Sequence, residues 1–68
     1  MTDTLFPPTP RERLAVVTKF VSEERSYRLF MRTKYRDDAG QLRYWQGRVA
    51  QADEALAHLA ALAEAVMP

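Results

Sequence analysis

Apolar positions along this chain fall into two long helical runs separated by one short polar break. From Arg11 onward no glycine or proline occurs until Gly40. Within that stretch Val16, Val17, Phe20, Val21, Tyr27, Met31 and Tyr35 lie within roughly 80° of position 24, at 100° per residue. Leu14 sits at the edge of the same stripe. This periodicity predicts a first amphipathic helix over about residues 10–36. The second run is more regular. Leu42, Trp45, Val49, Ala52, Leu56, Leu59, Ala63 and Val66 alternate spacings of three and four. That is the a/d seam of a heptad repeat, and it predicts a second helix over about residues 41–66. Leu62 widens the seam, the alanine-rich run from Ala50 to Ala65 has high intrinsic helicity, and Gly47 is the weak point.

The punctuation agrees with these limits. Thr9-Pro10-Arg11-Glu12 reads as a helix start, with Thr9 and Glu12 forming a capping box and Pro10 in the first helical position. Asp37-Asp38-Ala39-Gly40 is the turn. Either Gly40 ends the first helix in a left-handed conformation, or Asp38 caps the second with Gln41 three residues later. Residues 1–9, with Pro7, Pro8 and Pro10 close together, predict an extended arm. The expected fold is therefore all-α, an antiparallel two-helix hairpin with an N-terminal arm. A short turn between long helices makes them antiparallel neighbours.

Two helices alone leave apolar surface over, and this is where function is expected. Leu29 and Phe30 lie about 140° and 120° from the centre of the first stripe, on opposite sides of it. Ser22, Ser26 and Thr33 share the back face with Leu29. The sequence predicts self-association into a helical bundle through Ser22, Ser26, Leu29, Phe30 and Thr33, because exposed apolar patches mark interaction sites. The other reading is scattered surface apolars, or cover by the Leu5-Phe6 arm. Glu24 is an acid at the centre of the first stripe. Arg28, one turn on, can pair with it, and Gln51, Ala52 and Ala55 are expected opposite. Either Glu24 makes a buried polar contact that fixes register, or it reaches solvent past a loosely packed middle.

Composition narrows the picture further. A chain of 68 residues is one domain at most. Cores this small supply only about 3–5 kcal/mol, so such chains generally need a staple or a partner. With no cysteine and a single histidine, disulfides, thiolate metal sites and a His-based zinc cluster within one chain are excluded. No cofactor is expected. No window is apolar enough to span a bilayer, and Met1 to Pro8 lacks the basic start and apolar core of a signal peptide, so no membrane association and a cytoplasmic location are expected.

The net charge of +1 conceals an asymmetry. Residues 25–48 hold Arg25, Arg28, Arg32, Lys34, Arg36, Arg43 and Arg48 against Asp37 and Asp38, a net of +5. Residues 1–24 carry −1 and residues 49–68 carry −3. In a hairpin the basic stretch gathers at the turn end and the acidic remainder at the end with both termini. Tyr27, Tyr35, Tyr44 and Trp45 lie within the basic stretch. Arginine among aromatics suits a protein–protein hot spot, a phosphate-gripping surface or merely a solvated face. The candidate partner-binding residues are Arg25, Arg28, Leu29, Phe30, Arg32, Lys34, Arg36, Arg43, Tyr44 and Arg48. An acidic protein partner is the first expectation and nucleic acid the second.

No catalytic constellation emerges. The adjacent acids Asp37-Asp38 and Glu23-Glu24 diverge by about 100° on a helix, and His58 sits one turn after Glu54 with no nucleophile to serve. No glycine-rich phosphate loop is present. The segment Val17-Thr18-Lys19-Phe20-Val21-Ser22-Glu23-Glu24-Arg25, followed by Leu29-Phe30 and an Ala/Leu helix, resembles small helical-hairpin proteins encoded in phage and prophage genomes. That resemblance, over about 50 residues of generic helix composition, implies a small accessory or host-modulating protein and assigns no functional residue. The expected function is a non-enzymatic interaction protein that self-associates and binds an acidic protein. The alternatives are a small nucleic-acid-binding protein and a structural subunit whose arm threads into a neighbour.

Overall fold

The computed structural model describes residues 7–66. They form two helices, α1 (Pro10–Lys34) and α2 (Ala39–Val66), packed side by side as a hairpin. The expected arm is described only from Pro7, so Leu5 and Phe6 lie outside the described residues, as do residues 67–68.

Local chemistry sets each end. At the start of α1 the capping box closes: Glu12 N–H donates to Thr9 Oγ1 at 3.1 Å, and Thr9 N–H donates to Glu12 Oε1 at 2.8 Å. Pro10 follows where no donor is needed. At the other end Arg36 N–H donates to Thr33 O at 3.3 Å and Asp38 N–H to Tyr35 O at 3.0 Å. These three-residue loops use the last carbonyls of α1 and stop it at Lys34, two residues before the expected end at 36. Of the two turn readings, the structure takes the aspartate. Asp38 Oδ1 accepts from Gln41 N–H at 3.0 Å, and Asp38 O from Leu42 N–H at 2.7 Å. Gly40 has no positive φ and lies inside the first turn of α2, which therefore starts at Ala39 rather than 41.

The molecule is one layer thick. Its Cα extents are 50 × 31 × 11 Å and its radius of gyration is 15.9 Å, against ~11 Å for a compact domain of this length. Its solvent-accessible surface of 5690 Å² exceeds the ~4,400 Å² of a compact monomer of this mass. The core is correspondingly thin. Among the described residues only Val49 and Ala52, both on the α2 heptad seam, are buried.

The α2 seam faces α1, as its spacing requires, with only Val66 at its end exposed. The face of α1 that meets it differs from the expected stripe. Half-buried residues along α1 and its C-cap include Leu14, Thr18, Val21, Arg25, Arg28, Arg32 and the capping Tyr35, at spacings of four and three. This heptad row is centred roughly a quarter turn from the apolar stripe. Val16, Val17, Phe20 and Tyr27, expected against the second helix, are exposed. The reason is visible at mid-hairpin. Arg28 Nη1 donates to Arg48 O at 2.8 Å, its Nε donates to Glu24 Oε2 at 3.1 Å, and Arg25 pairs with Asp53. Long arginine stems cover the small Ala52 seam while their heads find acceptors, so the polar row turns inward.

Candidate interaction surface

Closing on the arginine row leaves the hairpin with two unequal broad faces. On one, Val17, Phe20, Glu24, Tyr27 and Met31 of α1 follow at spacings of three and four. A groove joins that row to α2. It runs from Val17 beside Leu59 and Leu62 to Phe20 and Glu24 beside Gln51 and Ala55, with Ala52 at its floor. Towards the turn Tyr27 meets Trp45 edge-on, ring centroids 6.1 Å apart, and Tyr44 meets Trp45 likewise at 5.0 Å. Trp45 Nε1 donates to Gln41 Oε1 at 3.2 Å, so its ring is held as a platform between the two tyrosines. Phe20 is 59% exposed, Tyr27 52%, Tyr44 55% and Leu62 53%. Val16 and Phe30, also exposed, carry the apolar surface round to the outer edge of α1.

The opposite face holds the Arg25–Asp53 pair, half-buried Thr18 and the exposed Ala15. Ser22, Ser26 and Thr33 are exposed on that side, Ser26 Oγ donating to Ser22 O at 3.2 Å, and Leu29 beside them is half-buried. Leu29 and the three small polar residues share that side, and Phe30, one turn from both Ser26 and Tyr27, stands at its edge between this side and the Phe20–Tyr27 row.

The candidate partner-binding residues are divided. Arg25, Arg28, Arg32 and Arg48 are half-buried within the hairpin, Arg28 with only 14% of its side chain exposed. Arg48 Nη1 donates to Gln51 Oε1 at 2.9 Å. Lys34, Arg36, Arg43 and Tyr44 are exposed and gather at the turn end, where Lys34 Nζ lies 5.5 Å from the centre of the Tyr35 ring. Glu24 keeps 44% of its side chain exposed while pairing with Arg28, so it reaches solvent at the rim of the groove opposite Gln51, Ala52 and Ala55.

His58 and Glu54 stand 3.9 Å apart with both side chains three-quarters exposed. Among the described residues no three His, Cys, Asp or Glu side chains gather closely enough to hold a metal ion, and no helix is long and apolar enough to cross a membrane. The exposed Val17–Phe20–Tyr27 row belongs to the apolar stripe of the first helix, which is too wide for one neighbouring helix to cover; hydrophobicity alone does not say which part of that stripe stays open. The charge match of Arg25 with Asp53 was the signal available for the side that closes. Comparison of the chain with protein-family models, curated proteins and solved structures finds no match.

Proposed function

We propose that this chain is a non-enzymatic helical interaction protein of the cytoplasm. It self-associates through its uncovered apolar face and offers its basic turn end to an acidic protein. The uncovered face is the observation that carries this reading. Val17, Phe20, Tyr27, Tyr44 and Leu62 on that face are each about half exposed, and a second hairpin laid on it would cover them together, as the ~800 Å² per partner of a specific interface requires. The turn end adds Lys34, Arg36, Arg43 and Tyr44, whose exposed mix of arginine and tyrosine suits protein hot spots. In the setting implied by the resemblance to phage and prophage hairpins, such a module acts by tethering or inhibiting its partner.

Trp45, the only tryptophan, lies against Tyr44 and reports on this end. Titration with polyglutamate is expected to change its fluorescence saturably, with loss of the response in Arg36→Ala/Arg43→Ala. Sedimentation is expected to give a mass that rises with concentration. A constant monomer mass together with no response to polyglutamate refutes the reading. Binding of single-stranded DNA or RNA instead, with affinity falling steeply as salt rises, assigns the turn end to nucleic acid.

A further inference from the structure

We infer that the occupant of the apolar face is a second copy of this chain, stacked face to face and end over end. The turn end of each copy then lies on the terminal end of the other. The inference rests on the proposed self-association and adds its orientation, which charge decides. Leaving aside the Arg25–Asp53 and Glu24–Arg28 pairs, which straddle the middle and cancel within each chain, the half nearer the turn carries +3 and, among the described residues, the half towards the termini carries −1. Two packed helix layers are separated by about 8–10 Å, close to the screening length of physiological salt. Stacking turn over turn would set +3 against +3 across that gap. Stacking end over end sets +3 against −1 twice.

The same two-fold arrangement matches the apolar positions. The midpoint of α1 and the turn falls near residues 23–24, so the rotation places Phe20 of one copy over Tyr27 of the other. On α2 it brings Tyr44 to the neighbourhood of Leu62. Each aromatic of the Tyr27–Trp45–Tyr44 cluster thereby meets the aliphatic or aromatic residues of the groove's other end, and the exposed rows of both copies are covered together. The Glu24–Arg28 pairs of the two copies come close at the middle, where their charges are already matched within each chain.

The chain has no cysteine, so introduced thiols report orientation directly. Arg13 lines the groove at the terminal end, and Lys34 follows Tyr27 by one heptad at the turn end; both are exposed. They stand about 16 Å on either side of the midpoint along α1. With a short thiol–thiol crosslinker, Arg13→Cys alone and Lys34→Cys alone are expected to stay uncrosslinked. An equal mixture is expected to give a dimer band that disappears when both chains also carry Phe20→Glu. Circular dichroism of Phe20→Glu checks that helicity is kept. Crosslinking of Lys34→Cys with itself and none in the mixture overturns the end-over-end orientation while leaving self-association standing. A band that survives Phe20→Glu with helicity intact overturns the assigned face. A wild-type chain that sediments as a monomer at every concentration overturns the inference and the self-association together, and gives the face to residues 1–6 or to a foreign protein.

Discussion

Replacing Gly47 by alanine tests whether α2 is one continuous helix whose outer side is free. Gly47 lies in the middle of α2, and a Cβ built there meets nothing within 4 Å. It is exposed, and its helix position points away from both α1 and the apolar groove. Alanine therefore adds no clash and removes no hydrogen bond. What remains is the propensity difference, about 1 kcal/mol in favour of alanine, much of it from the greater backbone freedom that glycine has when unfolded. For a chain of this length an unfolding entropy of about 2.1 cal/mol/K per residue converts that to a rise in Tm of about 7 °C. If folding and self-association occur together, the gain is about 2 kcal/mol per dimer, one from each chain. The entropy doubles too, so the shift in Tm is the same at a given concentration. Thermal unfolding followed by far-UV circular dichroism, at two protein concentrations, measures both quantities. A Tm that is unchanged or lowered refutes the reasoning, because it requires either that α2 is broken near Gly47 or that another surface approaches its bare backbone.

Three further outcomes follow from named contacts. Asp38→Ala removes the acceptor for Gln41 N–H and is expected to cost about 1 kcal/mol; an unchanged denaturant midpoint would mean that the start of α2 is fixed by something else. A double-mutant cycle on Arg25→Gln and Asp53→Asn is expected to give a coupling of only about 0.2–1 kcal/mol, shrinking as salt is added, because the two side chains are 37% and 51% exposed. A coupling well above that range, insensitive to salt, would show that the pair is more deeply enclosed. Ala52→Leu forces a larger side chain into the most buried position of the hairpin and is expected to destabilise it by about 1–3 kcal/mol; a gain in Tm would mean that the helices separate there without loss.

The helices themselves, their caps and the α2 seam were legible because they are set by neighbours in sequence. Thr9 and Glu12 close their capping box within one turn, Asp38 reaches only as far as Gln41, and the spacing from Leu42 to Ala63 is a local periodicity that leaves α2 one face to bury. Between glycine and aspartate at the turn the sequence left a choice, which the hydrogen bonds of Asp38 resolve. The candidate surface was legible in part. Lys34, Arg36, Arg43 and Tyr44 are exposed at the turn end, where charge placed them, whereas Arg25, Arg28, Arg32 and Arg48 are drawn into the hairpin.

The pairing of faces belonged to the tertiary structure. Helix α1 with its C-cap carries two overlapping heptad rows, an apolar one through Val17, Phe20, Tyr27 and Met31 and a mixed one through Val21, Arg25, Arg28 and the capping Tyr35. A count of hydrophobic positions selects the first. The second closes on α2 because its arginines find Glu24, Asp53 and the Arg48 carbonyl across or beside a seam of small alanines. Those acceptors are up to 28 residues away along the chain. The sequence by itself thus determined that two long amphipathic helices form and meet at a turn. Only the packed hairpin decided which face of α1 is left to a partner, since that depends on the fit of long charged side chains against a surface that does not exist until the chain has folded back on itself.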